Sequence, residues 1–358
     1  MLKNYKLYLY TSIVLFALSG ILFAIQQTNY LGLLVSLGFL SLSIGVKQTS
    51  TFQGLSFTMI ILACVCITLN YPQYFIQIGD FKLKGLITPL IQIIMFGMGT
   101  EIGLKDFKRV AEQPKAVFIG LVGHFTFMPL MGFALATLFN FEPEIAAGIV
   151  LIGSMPCGLA SNVMSYLAKA NLALSVTLTS VSTILATFLT PFLMKVLGGQ
   201  FIEIKASDMF VHILQIVIVP IVLGLLFNKY VKGKTTWLDK LMPTLSMFGI
   251  ATIIIVITAA GSKSLLTIGP LLILVSFIHN TSGYLFGYWF GRVFKLGEKD
   301  CRTIAIEVGM QNGGLASGLA EKLGKAATMG LAPAVFGPFM NITGSILASY
   351  WHKREPKN

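Results

Sequence analysis

The stretch Thr303-Ile304-Ala305-Ile306-Glu307-Val308-Gly309-Met310-Gln311-Asn312-Gly313-Gly314-Leu315-Ala316-Ser317-Gly318 decides how the chain is read. It holds a carboxylate, two amides and four glycines within strongly apolar surroundings. Each glycine costs up to about 1 kcal/mol relative to alanine in a helix. A carboxylate at the bilayer centre is more expensive still unless it is partnered. A membrane span carrying both is expected to be interrupted, with its freed backbone and polar side chains lining a cavity.

Composition agrees with a membrane setting. Of 358 residues, 55% are hydrophobic and only 11% charged, and the mean hydropathy is +0.80. A soluble domain carries about 25% charged residues, so the chain reads as an all-α polytopic membrane protein with the lipid bilayer as a partner. Its 14 acidic residues fall mostly between apolar runs, which leaves Glu307 isolated. The net charge of +12 does not point to nucleic acid, because the basic residues sit in loops and follow the topology rule below. Cys64, Cys66, Cys157 and Cys301 form neither a disulfide framework nor a zinc pattern and read as core-filling thiols. Asn280-Thr281-Ser282 and Asn341-Ile342-Thr343 match the glycosylation pattern but lie inside apolar runs, so both are read as chance.

Apolar runs long enough to cross a bilayer recur at 7–25, 30–46, 53–76, 85–104, 115–139, 143–168, 171–197, 208–230, 238–261, 265–294, 300–320 and 326–351, about twelve spans. The first follows Lys3 and Lys6 as a signal peptide would. It is long, lacks a clear small-residue cleavage site and leads straight into more membrane sequence, so it is read as a retained span. With the N-terminus placed in the cytoplasm, all but seven of the 26 Lys and Arg residues fall on that side. Lys82, Lys84, Lys195, Lys205, Lys263, Lys322 and Lys325 lie opposite. This asymmetry predicts that both termini are cytoplasmic.

Gly158-Leu159-Ala160-Ser161 returns 156 residues later as Gly314-Leu315-Ala316-Ser317. A histidine precedes each copy at nearly equal distance, His124 by 34 residues and His279 by 35. Five spans separate the copies, so they enter the membrane in opposite directions. That predicts an inverted five-helix repeat with halves at 53–197 and 208–351, and two extra N-terminal helices within 1–50. The first copy lies in Gly153-Ser154-Met155-Pro156-Cys157-Gly158-Leu159-Ala160-Ser161-Asn162-Val163, where Pro156 removes a backbone donor and Gly158 permits an unwound turn. Two interrupted polar segments at matching positions point to a transport site at the bilayer midplane. Half-helix N-termini suit an anion, and unwound carbonyls suit a hard cation.

With these motifs in place, the sequence resembles the bile acid:sodium symporter family from about residue 53 to 351. The resemblance rests on Phe96-Gly97-Met98-Gly99, Ala160-Ser161-Asn162-Val163-Met164, Ala173-Leu174-Ser175-Val176 with Thr179-Ser180-Val181-Ser182-Thr183, and Glu307-Val308-Gly309-Met310-Gln311-Asn312. It implies a core and a panel domain, two crossed discontinuous helices, and sodium-driven symport of an organic anion by alternating access across a bacterial plasma membrane. Carried over by position, one sodium site uses Ser161, Asn162, Ser175, Thr179 and Glu307. A second uses Glu307, Val308, Met310 and Gln311, with His124 where related bacterial members have Gln. Substrate would meet Asn312 above all, with Leu159, Gly158 and Gly313 beside it.

His124 departs from the pattern. An imidazole is a poor sodium ligand and can take up a proton near neutral pH. A weakened second site, a proton in place of one sodium, and a hydrogen-bonding core residue all remain open on sequence. Cys157 and Leu159 also replace the family's usual Gly and Thr or Asn, which makes that wall more apolar. The alternatives are a cation/proton antiporter and a proton-coupled organic-anion transporter; an antiporter usually needs further acids in the broken segments, and none lies near 161–162. An intramembrane enzyme would need Ser161 or Cys157 with His124 as base, but no orienting acid is evident, so no catalytic residue is assigned.

Overall fold

A computed structural model describes residues 5–26, 30–49, 53–101, 110–231 and 236–356. Helix α1 (Tyr5–Ala24) pairs with α2 (Leu31–Lys47), and α2 packs on α3 (Ser56–Asn70). Serines weld this trio together. Ser41 of α2 donates to Tyr8 O at 2.8 Å, Ser36 to Ala63 O at 3.0 Å and Ser43 to Ser56 O at 2.9 Å. Such interhelical bonds hold helices together where lipid removes the hydrophobic drive for association.

A 3₁₀ turn and a two-stranded hairpin (Gln77–Ile78 with Phe81–Lys82) lead into α4 (Ile87–Glu101). Next come α5 (Pro114–Leu138), α6 (Pro143–Gly153), α7 (Ala160–Leu167) and α8 (Leu172–Val196). Pro114 and Pro143 open their helices where a missing N–H does no harm. Helix α9 (Ala206–Ile213) passes through a π stretch (Leu214–Ile218) into α10 (Val219–Val231). The chain ends with α11 (Thr236–Ala260), α12 (Ser262–Val293), α13 (Glu298–Gly309), α14 (Gly313–Lys322) and α15 (Leu331–His352).

Seven helices among the described residues are long and apolar enough to cross a membrane, which makes this an all-helical, polytopic membrane protein. Most predicted runs appear within a few residues of their expected bounds. The run at 53–76 is a correction: its helix stops at Asn70, because the chain turns at Tyr71–Phe75 and enters the hairpin. Cys64 and Cys66 are half-buried, and Cys157 and Cys301 fully buried. The part of the 85–104 run beyond Glu101 lies outside the described residues.

The two runs singled out for interruption are the two that break. The run at 143–168 separates into α6 and α7, and that at 300–320 into α13 and α14. Gly153 and Gly309 end the first half of each, 156 residues apart, the same offset as the repeated tetrapeptide. Around these breaks α5, α6, α7, α8, α12, α13 and α15 pack together, while α4 packs on α10 and α11. The α4–α10 contact is backbone on backbone. A Cβ on Gly224 would lie 2.2 Å from Phe96 O, and one on Gly99 2.3 Å from Ile221 O. The Phe96-Gly97-Met98-Gly99 motif is therefore a helix-crossing device.

Candidate functional site

The breaks meet each other. Cys157 and Gln311 form an isolated antiparallel bridge: Gly158 N donates to Met310 O at 3.0 Å and Asn312 N to Pro156 O at 2.9 Å. Unwound backbone in an apolar interior must find partners, and each break supplies the other's. Only a residue without a side chain fits at the crossing, since a Cβ on Gly158 would stand 2.6 Å from Gln311 O. Side chains anchor the remainder. Thr190 donates to Ser154 O at 2.6 Å, Cys157 N donates to Ser182 Oγ at 3.3 Å, and Asn280 Nδ2 donates to Gly309 O at 2.8 Å.

Beside this crossing α7, α8 and α13 bring five side chains into one oxygen cluster. Glu307 is 1% exposed and accepts from Ser175 Oγ through a short hydrogen bond and from Thr179 Oγ1 at 2.9 Å. Asn162 Oδ1 accepts from Ser175 Oγ at 2.9 Å and from Thr179 Oγ1 at 3.3 Å. Ser161 Oγ lies 3.4 Å from Thr179 Oγ1 and donates to Gly158 O at 2.7 Å. Ser175 and Thr179 share a face as i and i+4 neighbours, and Asn171 caps their helix by accepting from Leu174 N at 3.1 Å. Arg302, a turn and a half before Glu307, does not compensate its charge; it pairs with Glu298 at 2.9 Å. A buried carboxylate whose partners are hydroxyls and the Cys157 thiol, all uncharged, calls for a cation or a proton. Every donor atom here is a hard oxygen, the ligand type that small hard cations take.

The second expected set is also brought together, but its backbone carbonyls are engaged and only Gln311 Oε1 is without a partner among the described residues. Val308 O accepts from Gln311 Nε2 at 2.9 Å, and Met310 O from Gly158 N. His124 stands between the two breaks, with Nε2 2.7 Å from Met155 O and Nδ1 3.1 Å from Glu307 O. A neutral imidazole can donate to one of these carbonyls and an imidazolium to both. Its partners are these backbone oxygens and the Cys157 Sγ, 3.6 Å from Nδ1, not the Glu307 carboxylate. His279 has a different role, with Nε2 2.9 Å from Met128 O.

Of the expected substrate contacts, Asn312 caps α14 by accepting from Leu315 N at 3.0 Å. Its Nδ2 is buried without a partner among the described residues, as is Gln311 Oε1. Gly158 and Gly313 are buried and Leu159 half-buried at the same crossing. The sequence reading missed a support layer. Thr343 donates to Asn280 Oδ1 through a short hydrogen bond, and Tyr284 OH donates to Met340 O at 3.2 Å. Asn280 and Thr343 stand in the two glycosylation patterns set aside as chance. Their polarity inside apolar runs was the available signal.

Known proteins share this chain's pattern. The family model described as "Sodium Bile acid symporter family" matches residues 88–268, half of the chain. An uncharacterized sodium-dependent transporter, YocS, of Bacillus subtilis (strain 168) is 35% identical over 313 residues, covering 87% of this chain and 95% of that protein. Probable sodium/metabolite cotransporters named BASS1, chloroplastic, are similar too. That of Arabidopsis thaliana is 34% identical, over 75% of this chain and 67% of its own length. That of Oryza sativa subsp. japonica is 35% identical, over 76% and 68%. The chain belongs to the sodium bile acid symporter family. Family members are transporters, so this chain is a transporter and not an enzyme. The Glu307–Asn312 segment lies beyond the residues the family model matches, and its assignment rests on the geometry above.

Proposed function

We propose that this protein couples sodium entry to uptake of an organic anion by alternating access. The observation carrying this reading is the oxygen cluster of Ser161, Asn162, Ser175, Thr179 and Glu307, set against two helix breaks that hydrogen-bond to each other. Sodium bound there is held by α7, from one break, and α13, from the other, with α8 between. Its charge offsets that of Glu307, and its coordination fixes α7 relative to α13. Fixing that relation presents the N-terminus of α14 and the unpaired Asn312 Nδ2 in a defined geometry toward an anionic group. Sodium then favours the conformation that binds substrate, and the coupling is reciprocal.

An inverted repeat over 53–197 and 208–351 accounts for the shared 156-residue offset of the two breaks. The lysine and arginine distribution favours cytoplasmic termini. One sodium per cycle is the stoichiometry we favour, because the Val308 and Met310 carbonyls are taken by protein donors and the His124 ring stands beside them, which leaves Gln311 Oε1 alone in that set without a partner among the described residues. Proteoliposomes test the reading. Uptake of an organic anion should follow an inward sodium gradient and cease with choline in its place, and Glu307→Ala should abolish it. Uptake that ignores the sodium gradient would refute it.

A further inference from the structure

A cavity of about 910 Å³ lies away from the cation cluster. It opens where three elements reach one end of the helical bundle: the last turns of α12, the first turns of α13, and the end of α15 with the tail beyond it. Its inner wall is apolar and aromatic. Tyr284 and Leu285 of α12 and Leu347 and Trp351 of α15 line it, and Leu285 is 58% exposed.

Its rim is basic, and the ion pairing within it is uneven. Arg302 is committed. It pairs with Glu298 at 2.9 Å and donates to the carbonyls of Ala168, Trp351 and Arg354 at 3.1, 3.3 and 3.0 Å, which ties the end of α15 to α13. Glu298 is also taken by Tyr288 OH at 2.8 Å, and Glu355 pairs with Lys169. Arg292 is left half-exposed, 3.8 Å from Glu298, and Arg354 lays its guanidinium over the Tyr350 ring, 3.9 Å from its centre. Among the described residues, Arg292, Arg302, Arg354 and Lys169 thus pair with two acids, Glu298 and Glu355, an excess of two positive charges, carried by Arg292 and Arg354.

We infer that this cavity is a binding site for an anionic glycerophospholipid: Arg292 and Arg354 take the phosphate, and the Leu285–Leu347 wall takes the upper part of an acyl chain. Guanidinium groups match phosphate oxygens in pairs. Aromatic side chains gather at the level of lipid headgroups, and basic pockets between membrane helices hold acidic headgroups. A free anion would use the rim but not the apolar wall. A zwitterionic lipid would use the wall, but its ammonium would meet the excess positive charge. The inference does not depend on sodium coupling. By occupying the joint between α12, α13 and α15, the lipid would brace α13, which carries Glu307.

The test is thermal unfolding of the full-length protein in neutral detergent, titrated separately with phosphatidylglycerol, phosphatidylcholine and inorganic phosphate. Phosphatidylglycerol is expected to raise Tm with an apparent affinity about thirtyfold above that of phosphatidylcholine, the effect of two basic groups at a lipid surface. Inorganic phosphate should not reproduce the rise. The double variant Arg292→Gln, Arg354→Gln should bind the two lipids alike and keep its response to sodium. Leu347→Trp, which fills the apolar wall and leaves both arginines, should also lose the preference, and it serves if the double variant does not fold. Equal responses to both lipids in the wild type, a full rise with inorganic phosphate alone, or a preference surviving in these variants would overturn the assignment.

Discussion

At the scale of single residues, the proposed cation site rests on oxygens gathered from distant parts of the sequence. Thr179 donates to both Glu307 Oε2 and Asn162 Oδ1, so Thr179→Val removes a ligand without changing side-chain size. Losing one polar partner of a charged group amounts to about 1.5–3 kcal/mol, or roughly ten- to hundredfold weaker sodium binding. Calorimetric titration reads this, and unchanged affinity would exclude Thr179 as a ligand. His124 gives a second test. If its ring satisfies the two carbonyls that border the second position, sodium dependence of transport should show a Hill coefficient near one, and His124→Gln should raise it. A wild-type coefficient near two would mean that the second position binds sodium despite the imidazole. That the five residues of the first set would stand together was legible, because its motifs stand at their family positions. The fate of the second set was not, because Gly158 N on Met310 O and His124 Nδ1 on Glu307 O are pairings across more than 150 residues that no local pattern records.

At the scale of elements, the proposed coupling turns on the two breaks. Pro156 and the glycines around Met310 announced them. Their ends were not readable, because α14 starts where Asn312 caps it, and Leu159 supplies no side-chain cap to α7. Gly158→Ala probes the crossing without touching a ligand. Its Cβ would press on Gln311 O at 2.6 Å, and the backbone must give way. Overpacking of this kind costs about 1–3 kcal/mol. A lower Tm and a loss of sodium affinity are expected although all five cluster residues remain. Wild-type sodium affinity in this variant would mean that the crossing does not set the cluster's geometry. The helix at 56–70 came out shorter than its apolar run because Tyr71–Phe75 is apolar enough to look like membrane yet forms a turn.

At the scale of the whole molecule, hydropathy gave the class and the charge asymmetry gives an orientation that can be tested. With two native cysteines buried and two half-buried, single cysteines placed at Lys205 and Lys353 report the two sides. In right-side-out vesicles a membrane-impermeant maleimide should label Lys205→Cys at once and Lys353→Cys only after permeabilisation. The reverse pattern would invert the proposed topology. The N-terminal pair α1 and α2 was visible as two extra spans. Its attachment to α3 was not, because it depends on which serines face Ala63 and Ser56.

The central claim is that one buried carboxylate, held between two mutually bonded helix breaks, binds the coupling ion. Sodium binding to the purified protein by isothermal titration calorimetry, compared with Glu307→Gln, tests it most directly. The wild type should give a saturable sodium isotherm and the variant, which keeps the side chain's size and loses its charge, none. A folded Glu307→Gln protein that still binds sodium with wild-type affinity would contradict the account.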